Sequence, residues 1–203
     1  MADAARLILA SGSAARRSML AAAGLTFEVI PATIDEAEIR DAMMVDNACV
    51  EASDIAAALA AAKALSVARA HPGALVIGSD QVLALGSQYI SKAGTVLEAR
   101  DTLERLRGRT HELVSAVAVA QGDDVLWHSI DSAKLTMRRF SDEFLGNYVS
   151  RMGDRVIHSV GCYELEGLGV QLFERIEGDY FTILGMPLLP LLAELRQRGM
   201  VTA

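Results

Sequence analysis

Apolar residues in this chain come in short runs broken by small polar turns, and the runs follow either the strand or the helix period. Residues 7–10 (Leu-Ile-Leu-Ala) read as a buried strand. Ser11-Gly12-Ser13 then make a tight polar turn, and residues 14–23 run at helical spacing up to Gly24, which suits the position just past a helix end. Residues 27–30 predict a second strand, ended by Pro31. Residues 31–50 show no firm period and carry Asp35, Glu36, Glu38, Asp41 and Asp46, which predicts a solvated acidic loop. Ser53 or Asp54 is expected to cap a long alanine-rich helix through residue 70, closed by His71-Pro72-Gly73.

Residues 74–77 (Ala-Leu-Val-Ile) predict a central strand that ends in Gly78-Ser79-Asp80. In open α/β sheets, ligands collect outside the carboxyl ends of such strands, which singles out Asp80. Residues 82–85 and 88–90 flank Gly86-Ser87 as a hairpin, with Lys92 just beyond. Thr95 is placed to cap a helix through residue 107, stopped by Gly108. Residues 113–120 and 125–137 read as strands meeting at Gly122-Asp123-Asp124, and Ser141-Asp142-Glu143 open a helix to residue 152. Residues 170–176 and 180–184 read as strands around Glu177-Gly178-Asp179, and Pro187 starts a last helix ending near Arg198-Gly199. Hairpins outnumber βαβ units, so the expected class is α/β with a mixed, twisted sheet flanked by four or five helices. No repeat, linker or low-complexity tract divides the chain, so residues 1–203 are expected to form one large domain or two closely joined lobes.

Composition narrows the function classes. At 52% hydrophobic residues the chain has ample material for a core. A net charge of −7 argues against a non-specific nucleic-acid binder, which needs a basic face, but leaves room for one polyanionic small molecule held by local cations or a metal. Two cysteines, Cys49 and Cys162, are too few for a disulfide framework and are expected as free thiols. Neither a signal-peptide pattern nor an apolar run near membrane-spanning length is present, so a cytoplasmic location without membrane contact is expected.

The candidate chemistry begins at the first loop. A strand that ends in a small polar turn and feeds a helix gathers unpaired backbone N–H groups at the positive end of the helix dipole, a point that suits an anion. Ser11 and Ser13 add hydroxyls, and Arg16 or Arg17 brings a guanidinium fork. The plainer alternative is that Ser13 only caps the helix and both arginines face solvent. No Gly-x-x-x-x-Gly-Lys segment occurs, so this is not the P-loop of an ATPase. The histidines 71, 111, 128 and 158 are scattered without zinc-site spacing. Ser11 and Ser13 also lack the Gly-x-Ser-x-Gly turn of a serine nucleophile.

This opening stretch resembles the signature of the Maf family of nucleoside triphosphate pyrophosphatases, Leu-Ala-Ser-x-Ser-Pro-[Arg/Trp]-Arg. It matches at Leu9, Ala10, Ser11, Ser13 and Arg16 and departs at Ala14 and Ala15. Further matches follow in order along the chain. They are Ile34-Asp35-Glu36, the helix lysine Lys63 within Leu59-Ala60-Ala61-Ala62-Lys63-Ala64, and Gly78-Ser79-Asp80-Gln81. Lys92 comes next, with Ala93 where the family has proline, then residues 161–169 with Glu166 before Gly167-Leu168-Gly169, and finally Gly185-Met186-Pro187-Leu188.

The resemblance implies a fold similar to that of inosine triphosphate pyrophosphatase, with two lobes and a cleft, and a homodimer. It also implies a magnesium- or manganese-dependent hydrolase that splits a nucleoside triphosphate into a monophosphate and pyrophosphate. Asp80 would act as proton acceptor, with Lys63 and Lys92 completing the catalytic set by binding phosphates. Glu36 and Asp80 would hold the metal, with Glu166 a third candidate. Arg16 would meet phosphates, and Ser11, Gly12, Ser13, Ala15, Gln81 and Glu166 would line the substrate. Gln81, Glu166 and residues 169–175 are closer to the 7-methyl-GTP branch than to the dTTP/UTP branch, although that branch has Trp where Ala15 stands. Two other readings remain. An aspartyl-phosphate phosphatase would want an acid two residues after Asp80, where Val82 stands. A nucleotide-binding regulator of septum formation would bind without turnover.

Overall fold

In a computed structural model, residues 6–46 and 50–201 are described; Cys49 and the side chain of Asp46 lie outside this description. The chain forms seven strands and seven α-helices among those residues. In the sheet, the strand order is β2-β1-β3-β5-β6-β7, with β4 paired to β3. These strands are β1 (Arg6–Leu9), β2 (Glu28–Val29), β3 (Ala74–Leu85), β4 (Gln88–Ile90), β5 (Thr110–Gln121), β6 (Asp124–Met137) and β7 (Phe173–Glu177). β1 runs parallel to both β2 and β3, whereas β4 on β3 and β7 on β6 are antiparallel. The sheet is therefore mixed, as the excess of hairpins predicts.

Two compact units emerge along the chain. The first comprises Met1–Gln81, Ser115–Asp131 and Gly185–Ala203; the second comprises Val82–Val114 and Ser132–Leu184. In the first unit, α1 (Ala14–Ala22) follows β1, capped by the Ser13 hydroxyl, which accepts from the Arg16 backbone N–H. Gly24, at φ +79°, closes it in the left-handed region that a side chain would resist. The long helix α3 (Ala52–Ala68) buries Ile55, Leu59, Ala60, Ala64 and Val67, a stripe at helical spacing that also carries Lys63. The last helix, α7 (Leu188–Gln197), buries Leu191 and Leu195.

The second unit holds α4 (Val96–Leu106) and α5 (Asp142–Met152), capped by Thr95 and Ser141, and the short α6 (Tyr180–Ile183). Its core includes Leu83, Leu103, Leu106, Leu113, Leu135, Met137, Leu145 and Leu172. Inside it, Nε2 of the buried His111 pairs with the Tyr163 hydroxyl at 2.7 Å, and Tyr148 donates to the carbonyl of Cys162 at 3.1 Å. Burial pushes the Cys162 thiol up to about 11 and pulls His111 down to about 4. His111 is thus neutral in the fold and charges only on unfolding below its ordinary value near 6.5. Its contribution is complete above pH 6.5 and is lost as the pH falls toward 4, by up to about 3 kcal/mol. Urea midpoints measured at pH 7 and pH 4.5 should differ more for the wild type than for His111→Gln.

Six expectations change, beginning with seven α-helices among the described residues where four or five are expected, and a 3₁₀ turn over Leu168–Leu172 where a strand is expected from residue 170. Residues 36–46 form a helix, α2 (Glu36–Asp46), not a loop. Asp35 Oδ1 accepts from the Glu38 N–H at 2.9 Å, and Glu36 and Glu38 sit in the first turn, where acids favour the dipole. The cap of α3 is Glu51, whose N–H meets the Asp54 carboxylate at 3.3 Å, rather than Ser53 or Asp54. Residues 180–184 turn helical because Asp179 caps Thr182 through both its N–H and its hydroxyl. Finally, β3 does not stop at residue 77; it continues through Gly78-Ser79-Asp80 to Leu85.

Candidate active site

The continuation of β3 decides where Asp80 stands. Leu9 is the last residue of β1 and lies opposite Ile77, so β3 runs on past the end of its parallel neighbour. Asp80 is therefore mid-strand, yet beyond the carboxyl end of β1, where the Ser11-Gly12-Ser13 turn begins. A buried strand tolerates Ser79 and Asp80 because both are satisfied. The Ser79 hydroxyl lies 2.8 Å from the Ala116 carbonyl and 2.9 Å from that of Gly185. Asp80 Oδ1 lies 2.5 Å from Lys63 Nζ.

Lys63 reaches Asp80 because Gly78 lets β3 lie directly on α3. A Cβ at position 78 would stand 2.2 Å from the Ala60 carbonyl and 2.5 Å from the Ala64 nitrogen. The backbone of strand and helix touch there, and Lys63, one residue before Ala64, is only 9% exposed. Its ammonium bridges two carboxylates, Asp80 at 2.5 Å and Glu36 at 2.8 Å. Glu36 is exposed and comes from the first turn of α2, which packs on α3.

The first loop is tied together by Arg16. Its Nε donates to the Gly185 carbonyl at 2.9 Å and its Nη1 to Ser11 Oγ at 3.2 Å. The same Ser11 oxygen accepts from the Ser13 N–H at 3.3 Å. Burial pulls the Arg16 guanidinium below its ordinary value, while Asp80 and then Glu36 pull it upward. Gly185 sits at φ +107°, and a Cβ there would stand 3.3 Å from Arg16 Nη2, so this turn is reserved for glycine. Ser11 is buried, Ser13, Ala15 and Arg16 are half-buried, and Gly12 is exposed with open space around its Cα. Gln81 is half-buried and donates to Ser115 Oγ at 3.0 Å.

Ser11, Gly12, Ser13, Ala15, Arg16, Glu36, Lys63, Asp80 and Gln81 thus all belong to the first unit. Lys92 and Glu166 belong to the second. Lys92 is exposed, beside a concavity of about 320 Å³ that Asp101, Thr102 and Arg105 also line. Glu166 is exposed on a segment shaped by its neighbours. Arg155 clasps Glu164 through Nε and Nη2, and Gly169 packs so closely on Glu164 that a Cβ would stand 2.5 Å from its carbonyl. Neither Ser79 nor the Gly185 carbonyl carries a local signal in the sequence. Both lie inside the quoted Gly-Ser-Asp and Gly-Met-Pro-Leu segments, but only the fold joins them.

Among the described residues no three His, Cys, Asp or Glu side chains converge on one point. Glu36 and Asp80 nevertheless meet at a single cation, the Lys63 ammonium. Two carboxylates are a sufficient protein share for magnesium or manganese, which keep waters and take phosphate oxygens as further ligands. The donor set therefore fits such an ion. No helix of the described residues is long and apolar enough to cross a membrane.

A sequence description of Maf-like proteins matches residues 6–198. A protein of Granulibacter bethesdensis named nucleoside triphosphate pyrophosphatase is 50% identical over 97% of this chain and 99% of its own length. One of Caulobacter vibrioides with the same name is 50% identical over 96% of each chain. A Rhizobium meliloti protein named 7-methyl-GTP pyrophosphatase is 47% identical over 97% of this chain and 98% of its own.

Proposed function

The chain belongs to the Maf family, and from that premise we propose that it hydrolyses the α–β anhydride of nucleoside triphosphates, releasing a monophosphate and pyrophosphate. One observation carries the reading: a buried aspartate and a second carboxylate share an ammonium beside an arginine-braced loop at the end of β1. The names of the similar proteins supply the reaction class.

In this reading the N–H groups that open α1 and the Ser11 and Ser13 hydroxyls cradle phosphate oxygens, at the positive end of the helix. Arg16, fixed by Ser11 and Gly185, presents its Nη2 to them, and Lys63 adds a second positive charge. Asp80 takes the proton of the attacking water as its oxygen bonds to phosphorus, and pyrophosphate departs with the electrons of the broken P–O bond. A magnesium or manganese ion held by Glu36 and Asp80 would screen the phosphate charge and make water easier to deprotonate. Within the first unit, Gln81 contacts the base and Ala15 leaves room beside it. The favoured substrate is a purine or modified-purine triphosphate such as 7-methyl-GTP. The working form is a cytoplasmic homodimer.

The test is a panel of normal and modified triphosphates incubated with purified protein and magnesium, with the products separated by chromatography. Pyrophosphate plus monophosphate is expected. Orthophosphate as the primary product would replace this reading with a phosphatase. Tight nucleotide binding with no turnover would replace it with a regulator.

A further inference from the structure

We infer that Lys63 holds the cation's place between Glu36 and Asp80, so that a divalent metal enters this site together with the nucleotide and not ahead of it. The inference rests on the hydrolase reading above and concerns the order in which its components assemble. Lys63 Nζ already contacts both carboxylates that would ligate the metal, at 2.8 and 2.5 Å. A metal ion taking the same two oxygens must either displace the ammonium or accept it as a like-charged neighbour.

The ammonium has little freedom to leave. Its side chain is largely buried, and Gly78 locks the backbone of α3 against β3 within a turn of it. Arg16 adds a second cation whose field reaches both Asp80 and Glu36. Two cations and two anions thus leave the cluster close to balanced, and a bare dication adds unrelieved positive charge. A triphosphate brings the missing negative charge. Lys63 then gives up both carboxylate contacts for phosphate oxygens without leaving the site, and the freed carboxylate oxygens face the incoming metal. Metal and nucleotide binding are therefore positively coupled, and by reciprocity each strengthens the other equally.

The probe is Mn2+, followed by the electron-spin-resonance signal of the free ion. It is titrated into the full-length protein alone and with α,β-methylene-GTP, which cannot be split at that bond, after correction for metal bound by the analogue in solution. Wild-type protein should bind Mn2+ at least about tenfold more tightly with the analogue than without it. Lys63→Gln, checked for native circular dichroism and melting, should bind Mn2+ alone at least about tenfold more tightly than wild type, and should gain less from the analogue. Lys63→Arg, which keeps the charge, should stay as weak as wild type. The inference is overturned if Lys63→Gln binds bare Mn2+ no better than wild type, or if wild type binds it equally well with and without the analogue. If Lys63→Gln does not fold, the wild-type comparison decides alone. Pyrophosphate release in the product assay is a separate readout, so the assembly order can fail while the hydrolase reading stands.

Discussion

Asp80→Asn should lower the rate of pyrophosphate release by about a thousandfold, the scale expected when a positioned general base is removed. The amide keeps the shape of the carboxylate but cannot take a proton from water. It also leaves Lys63 facing Glu36 alone, in a site where Lys63 is 9% exposed. Breaking a buried pair from one side costs stability, so melting should be followed beside the kinetics. A variant that melts near wild type and still releases pyrophosphate at near wild-type rate would remove Asp80 from its role.

Gly78→Ala should destabilise the protein by about 3 kcal/mol and reduce activity with it. Large effects of this kind arise when overpacking meets atoms that cannot move aside. The added methyl would stand 2.2 Å from the Ala60 carbonyl, 2.5 Å from the Ala64 nitrogen and 2.9 Å from the Ala64 Cβ. Two of those three are helix backbone, so strand and helix must separate, and Lys63 moves off Asp80 as they do. The matched control is Gly73→Ala, where nothing lies within 4 Å. It should change stability by no more than about 0.5 kcal/mol. Urea unfolding of the two variants tests the contrast, and equal midpoints would show that the close approach at Gly78 is not a constraint.

Much of this was readable from residues. Short apolar runs mark β1, β5 and β6, the Gly86-Ser87 turn marks β4, and Ser13, Thr95 and Ser141 are legible as caps because their side chains reach the backbone only a few residues on. Local signals failed where long-range packing decides. The acid-rich run 36–46 lacks a clear apolar stripe, and its helix is fixed by the Asp35 cap and by packing on α3. Gly78-Ser79-Asp80 reads as a strand end, because glycine and polar residues usually break strands. Here the glycine admits a helix backbone and the Ser79 hydroxyl has two distant carbonyls within hydrogen-bond reach, so the strand persists. The resemblance named Arg16, Glu36, Lys63 and Asp80 individually. That Lys63 joins two of them, and that Arg16 leans on a carbonyl 169 positions away, belongs to the tertiary fold alone.

The Gly185 carbonyl receives Arg16 from one end of the chain and Ser79 from its middle. Any attempt to dissect this protein genetically meets that oxygen first. A polypeptide shortened to residue 184 would retain every ionised group assigned to the chemistry, yet its guanidinium would keep only the Ser11 contact. The charges alone do not make a minimal enzyme; the tail that follows residue 184 aims one of them.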